Sequence, residues 1–265
     1  MSGPALSLST VNPLGKPTDA EGHPDVPYEP LTSEEQSQSD DMPLKDTYEM
    51  SEGRPGDAVA QLAAIASVGI FLAATWLVAL VDPSSYGIFT LHPLLNSLGI
   101  ALFTYGILTL QPTSRPKTKA AGLVRHQLTI FALGYPLLIL GTSAIFYNKY
   151  RHGNAHFTTW HGMFGIITLA LSILQIGLGA GSVWFDGWLF GGNPRAKFVW
   201  KYHRLLGYIT FPLYLFTAYL GGAWSNWSVN HSAFVVRLFA YWIAPLVLTV
   251  AVFARIRTSK INFGF

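Results

Sequence analysis

Apolar residues run through this chain in six blocks, at about 58–81, 87–110, 125–147, 158–181, 202–223 and 233–254, with short polar stretches between them. Each block is long enough to cross a hydrocarbon core of about 30 Å, which takes roughly 20 helical residues. A segment in lipid has to satisfy its own backbone hydrogen bonds, so each block predicts a helix. Pro136, Pro212 and Pro245 fall inside blocks, a placement that membrane helices tolerate. The expected fold is all-α, a six-helix transmembrane bundle with the lipid bilayer as its solvent.

Composition changes this picture mainly at the N-terminus. Half of the residues are hydrophobic and only 12% are charged, which argues against a soluble domain. Of the 14 carboxylates, 12 lie in residues 1–57, among prolines and serines. A stretch such as "LTSEEQSQSDDMPLKD" buries too little apolar surface to offset its ordering entropy, which predicts a disordered acidic cytoplasmic tail over 1–57. The transmembrane domain is then expected over 58–257, with a short cytoplasmic tail at 258–265. The net charge of +3 averages an acidic tail and a basic body, and no nucleic-acid motif accompanies it. With no cysteine, thiolate metal sites, disulfides and iron–sulfur clusters are excluded.

Loop charge sets the expected orientation. Arg115, Lys117, Lys119 and Arg125, then Arg195, Lys197, Lys201 and Arg204, then Arg255, Arg257 and Lys260 flank one side of the spans; Lys149, Arg151 and Arg237 flank the other. Short-loop lysines and arginines stay cytoplasmic, so both termini are expected there.

This topology gives each histidine a depth. His92 and His161 lie near the outer starts of the second and fourth spans, and His126 and His203 near the inner starts of the third and fifth. Histidine is rare and costly inside a membrane. Four of them sorted into two matched levels, on the order of 18 Å apart, point to axial ligation of iron: two bis-histidine haems, one between spans two and four and one between spans three and five. Spans two to five would form a four-helix core, with the first and last outside it. Small residues on the histidine faces, such as Gly99, Gly106, Gly134 and Gly141, either open a slot for a flat macrocycle or let the helices pack closely. A six-coordinate iron has no open position and passes electrons rather than activating oxygen.

Two other classes stay open on these grounds. "HGNAH" is an H-x-x-x-H match of the kind used by di-iron hydroxylases and desaturases, which need several such boxes on one face. A non-enzymatic carrier or receptor is the third class. Beyond the tail the only carboxylates are Asp82 and Asp186, both between spans, whereas ion-coupled carriers usually bury one.

The stretches "LHPLL", "RHQL", "NAHFTTWHGMFG" and "KYHRLLGYI" occur in this order and carry His92, His126, His161 and His203 in turn. Together they resemble the eukaryotic cytochrome b561 family, particularly its short six-helix members, over roughly residues 58–255. The resemblance implies two b-type haems, the outer on His92 and His161 and the inner on His126 and His203. It implies an oxidoreductase that takes electrons from cytosolic ascorbate and delivers them across the membrane to a ferric chelate or monodehydroascorbate. The family's basic donor site falls on Lys119, Arg125 and Lys197. At the outer end, "NKYRHGNAH" offers His152 and His156, beside Lys149 and Arg151, as an acceptor side. Asn96 departs from the family pattern, in which many relatives carry methionine. A homodimer is compatible with the sequence and not required by it.

Overall fold

The computed structural model describes residues 53–81, 87–111, 115–192 and 194–257. The expectations of a disordered tail and of a C-terminal tail over 258–265 lie outside these residues, except for the last five positions of the former.

Six helices are long and apolar enough to cross a membrane: α1 (Asp57–Leu80), α2 (Leu91–Leu110), α3 (Pro116–Arg151), α4 (Trp160–Val183), α5 (Val199–Trp224) and α6 (Phe234–Ala254). No strand occurs among the described residues. This is an all-α, multi-pass membrane protein. The helices outrun the apolar blocks where their charged ends leave the lipid. α3 begins at Pro116, well before the block that starts at 125, because proline at the first helical position lacks only an N–H that would be unpaired anyway. α4 starts where Thr159 accepts the Gly162 N–H at 3.2 Å, a side-chain N-cap.

Two helices widen into π-helical stretches, Gln127–Gly134 in α3 and Leu238–Ile243 in α6. Each ends just before a proline, Pro136 or Pro245. Proline has no N–H and its ring crowds the carbonyl four residues back, so the preceding turn opens.

Packing groups α2 with α3, α4 with α5 and α1 with α6. The pair α2/α3 meets α4/α5 only slightly through backbone contact between α2 and α5, which leaves a seam between the two pairs. The two helices outside the histidine-bearing four are not outside the packing. Tyr241, Leu248 and Val252 of α6 are fully buried beside Phe71 of α1, Phe103 of α2 and Leu215 of α5, because α6 closes α1 against α5. α4 buries only small hydroxyl residues, Thr168, Ser172 and Ser182, and turns Ile167, Ile173 and Leu174 outward. Small residues allow close helix approach, and the aliphatic outer face suits lipid.

One end of the bundle carries Arg115, Lys119, Arg195 and Lys197 and is the basic end. There Arg255, only 2% exposed, ties three helix termini together. Its guanidinium donates to the Asp57 carbonyl at the start of α1 and to the Leu108 carbonyl near the end of α2 at 3.2 Å. Asp57 in turn accepts from the Arg54 N–H at 2.8 Å and pairs with Arg257 at 3.7 Å. The last carboxylate of the expected tail is thus the first residue of α1 and is buried.

Candidate cofactor site

The seam between α2/α3 and α4/α5 brings the four span histidines together in two pairs. The rings of His92 (α2) and His161 (α4) stand nearly perpendicular, with centroids 5.8 Å apart and planes at 84°. Those of His126 (α3) and His203 (α5) do the same at 6.2 Å and 81° at the basic end.

A hydrogen bond inside each helix pair fixes each ring. His92 Nδ1 donates to the Gly141 carbonyl at 3.1 Å and His126 Nδ1 to Gly106 at 3.2 Å, linking α2 with α3 both ways. His161 Nδ1 donates to Thr217 at 2.9 Å and His203 Nδ1 to Gln175 at 3.1 Å, linking α4 with α5. A carbonyl oxygen only accepts, so every Nδ1 carries the proton and every Nε2 keeps its lone pair. This is how a metal-binding imidazole is normally oriented.

The chain achieves this by counting. Gly106 comes fourteen positions after His92, Gln175 fourteen after His161, and Thr217 fourteen after His203. Such an interval is close to four turns, a rise of about 21 Å. A helix that presents an imidazole at one level therefore presents a carbonyl on the same side at the other. Gly141 comes fifteen positions after His126, and the π-helical stretch of α3 lies between them. A π turn accommodates one inserted residue, which restores the alignment.

The donor set fits a haem. Metal–imidazole bonds are about 2 Å long, and with a ring centre about 1 Å behind each nitrogen, two opposed imidazoles on one metal place their centres about 6 Å apart. Both levels meet that spacing. Among the described residues, no three His, Asp or Glu side chains converge, so the protein offers two imidazole nitrogens per level, and a tetradentate macrocycle such as haem would supply the remaining ligands. Two glycines seat the rings from behind. A Cβ on Gly179 would lie 2.7 Å from His203, and one on Gly221 would lie 2.8 Å from His161. On α2 and α3 the small residues serve helix contact instead. A Cβ on Gly134 would strike Phe103 at 2.6 Å, and one on Gly106 would strike Thr129 at 2.5 Å.

The His126/His203 level sits in a cavity of about 280 Å³, just below the roughly 300–1,000 Å³ range of small-molecule sites. Tyr135 and Tyr214 bound it toward mid-bundle, and Lys119, Arg204 and Arg257 form its wall at the basic end. The Lys119 ammonium stands 5.2 Å over the Trp200 ring. Of the expected donor-side residues, Lys119 is on this wall, whereas Arg125 and Lys197 are exposed and away from it. Arg204 and Arg257 line it beside Lys119. At the opposite end, His152 is exposed and its Nδ1 donates to the Asn148 carbonyl at 2.7 Å. His156 stacks on Phe146 with centroids 4.8 Å apart. Lys149 donates to the Ala155 carbonyl at 2.9 Å and lies within electrostatic reach of His161.

An all-α membrane bundle with two opposed imidazole pairs defines the class, an integral membrane protein with a histidine-lined cofactor seam. Residues 91–229 match the profile of eukaryotic cytochrome b561, and the chain belongs to that family, whose members are haem proteins. All four paired histidines fall within the matched residues; Arg257 does not. The chain is also similar to transmembrane reductase CYB561D2 of Bos taurus, 29% identical over 115 residues that cover 42% of this chain and 52% of the relative. It thus spans about half the length of that relative.

Proposed function

We propose that the protein moves electrons across the membrane, from ascorbate on the cytoplasmic side to a ferric chelate or monodehydroascorbate on the other. His92 with His161, and His126 with His203, would each hold one b-type haem. The observation that carries this reading is that all four imidazoles fix Nδ1–H on a carbonyl and turn their rings toward each other in pairs. When bound, each haem would supply a one-electron iron couple.

The chain's own residues do the rest. Phe103, Tyr135 and Tyr214 pack together between the two levels, with ring centroids 4.9 and 5.4 Å from Phe103, and exclude water from mid-bundle. Tyr135 keeps its hydroxyl satisfied by donating to the Ser172 carbonyl at 3.0 Å. Lys119, Arg204 and Arg257 make the basic-end wall attractive to an anionic donor such as ascorbate, in a site where low dielectric strengthens the attraction. Lys149, His152 and His156 face the acceptor. The positive charge gathered at the basic end supports a cytoplasmic placement of that end and of both termini. The name of the bovine relative supports reduction as the reaction.

Vesicles containing the haem-loaded protein, with ascorbate enclosed and a ferric chelate outside, test the reading. External iron should be reduced faster than in protein-free vesicles. Equal rates would refute it.

A further inference from the structure

His92 differs from the other three span histidines in having a side-chain amide at its Nδ1. Asn96, one turn further along α2, brings its amide to 3.0 Å from that nitrogen. The same nitrogen donates to the Gly141 carbonyl at 3.1 Å. Gln175, the amide nearest another of these histidines, is placed differently. Its nitrogen donates to the main-chain carbonyl of His203 at 2.8 Å and approaches Nε2 at 3.4 Å, on the side a metal would take.

The Gly141 carbonyl fixes the proton on His92 Nδ1, so the amide atom facing that N–H has to be an acceptor as well. The nitrogen and oxygen of an asparagine amide exchange by a half-turn about χ2 with no change of shape. With nitrogen toward His92, two donors meet, and the oxygen is buried with no partner. The half-turn ends the meeting of two donors by presenting oxygen to the imidazole. Gly141 leaves room for the amide, since a Cβ there would lie 2.6 Å from the Asn96 side chain.

We propose that Asn96 is a positioning residue for His92: its amide oxygen shares the Nδ1–H with the Gly141 carbonyl and lowers the reduction potential of the haem held by His92 and His161. This rests on the reading of His92 as a haem ligand. Two acceptors on one N–H draw the proton further from the ring, and the more basic imidazole favours ferric over ferrous iron. No such second acceptor meets Nδ1 of His126, His161 or His203 in the bonds above, so the effect is confined to one level.

Redox titration of the visible bands of the purified, haem-loaded full-length chain tests this, with N96L and N96D beside the wild type. N96L, with the same branching and number of side-chain heavy atoms but no acceptor, should raise the midpoint of one haem and leave the other where it was. N96D should move the same haem the opposite way. Opposite shifts of one centre are not expected from a change in packing. If the charged variant fails to fold, N96M must repeat the N96L shift. Unchanged midpoints, shifts of one sign in N96L and N96D, or equal movement of both centres, with two haems still bound, would overturn the role of Asn96 and leave the ligands standing. A His92→Ala variant that keeps both haems would overturn the ligand assignment itself.

Discussion

Gly177 and Gly179 stand two residues apart on α4, and alanine should have opposite effects at the two positions. A Cβ on Gly179 would lie 2.7 Å from Cε1 and 3.0 Å from Nδ1 of His203, whereas one on Gly177 would meet nothing within 4 Å. Restoring ordinary contact of about 3.5 Å requires the His203 ring to withdraw by roughly 0.5–1 Å. The ring is held, because its Nδ1 donates to the Gln175 carbonyl at 3.1 Å. A shift of that size breaks the bond or leaves the clash in place. Overpacking costs about 1–3 kcal/mol, and the lost hydrogen bond about 1 kcal/mol. G179A should therefore weaken the His126/His203 level by about 2–4 kcal/mol, roughly 30- to 1,000-fold in haem affinity. G177A relieves only glycine's helix penalty, a gain of at most about 1 kcal/mol. Haem content after purification reads the first effect, and thermal melting of the haem-free protein supplies a readout independent of the cofactor. G179A binding haem and melting like G177A would refute the seating of His203 on Gly179.

Deleting one residue from the π-helical stretch of α3 gives His126 and Gly141 the same separation as the matching pairs on the other three helices, and haem content should survive. The same deletion between His92 and Gly106 rotates half of α2 by about 100° and should abolish haem binding, as visible spectra of the purified variants will show. K119Q should raise the KM for ascorbate more than R125Q or K197Q does, since of these three only Lys119 lines the cavity, and added salt should shrink the difference. R255M leaves the Asp57 and Leu108 carbonyls without their buried donor and should cost about 3 kcal/mol, measured as a lower melting temperature in detergent.

The six helices were legible because lipid leaves a backbone few options, and the histidine pairs because alternating helix direction turns sequence position into depth. Site details that depend on face were harder to read. Arg125 adjoins His126 in sequence, yet neighbouring residues on a helix point about 100° apart. Lys119, seven residues before His126, lies nearly two turns back on the same face and reaches the cavity. Arg257 carried no sequence signal as a site residue. It reaches the wall because α6 ends beside α1, where Asp57 holds it. The carbonyls of Thr217 and Gln175 were invisible for another reason: any residue can supply a carbonyl, so only the four-turn interval from a histidine marks them. That interval, and the one-residue excess on α3, could have been counted from the sequence. The consequence of the extra residue, a widened turn before Pro136, could not be placed without the fold.

The most direct test of the central claim is haem stoichiometry. The wild type should bind two haems per chain, H161A and H203A one each with different spectral bands missing, and a variant lacking all four span histidines none. Haem retained by the fourfold variant, or the same band lost from both single variants, would contradict it.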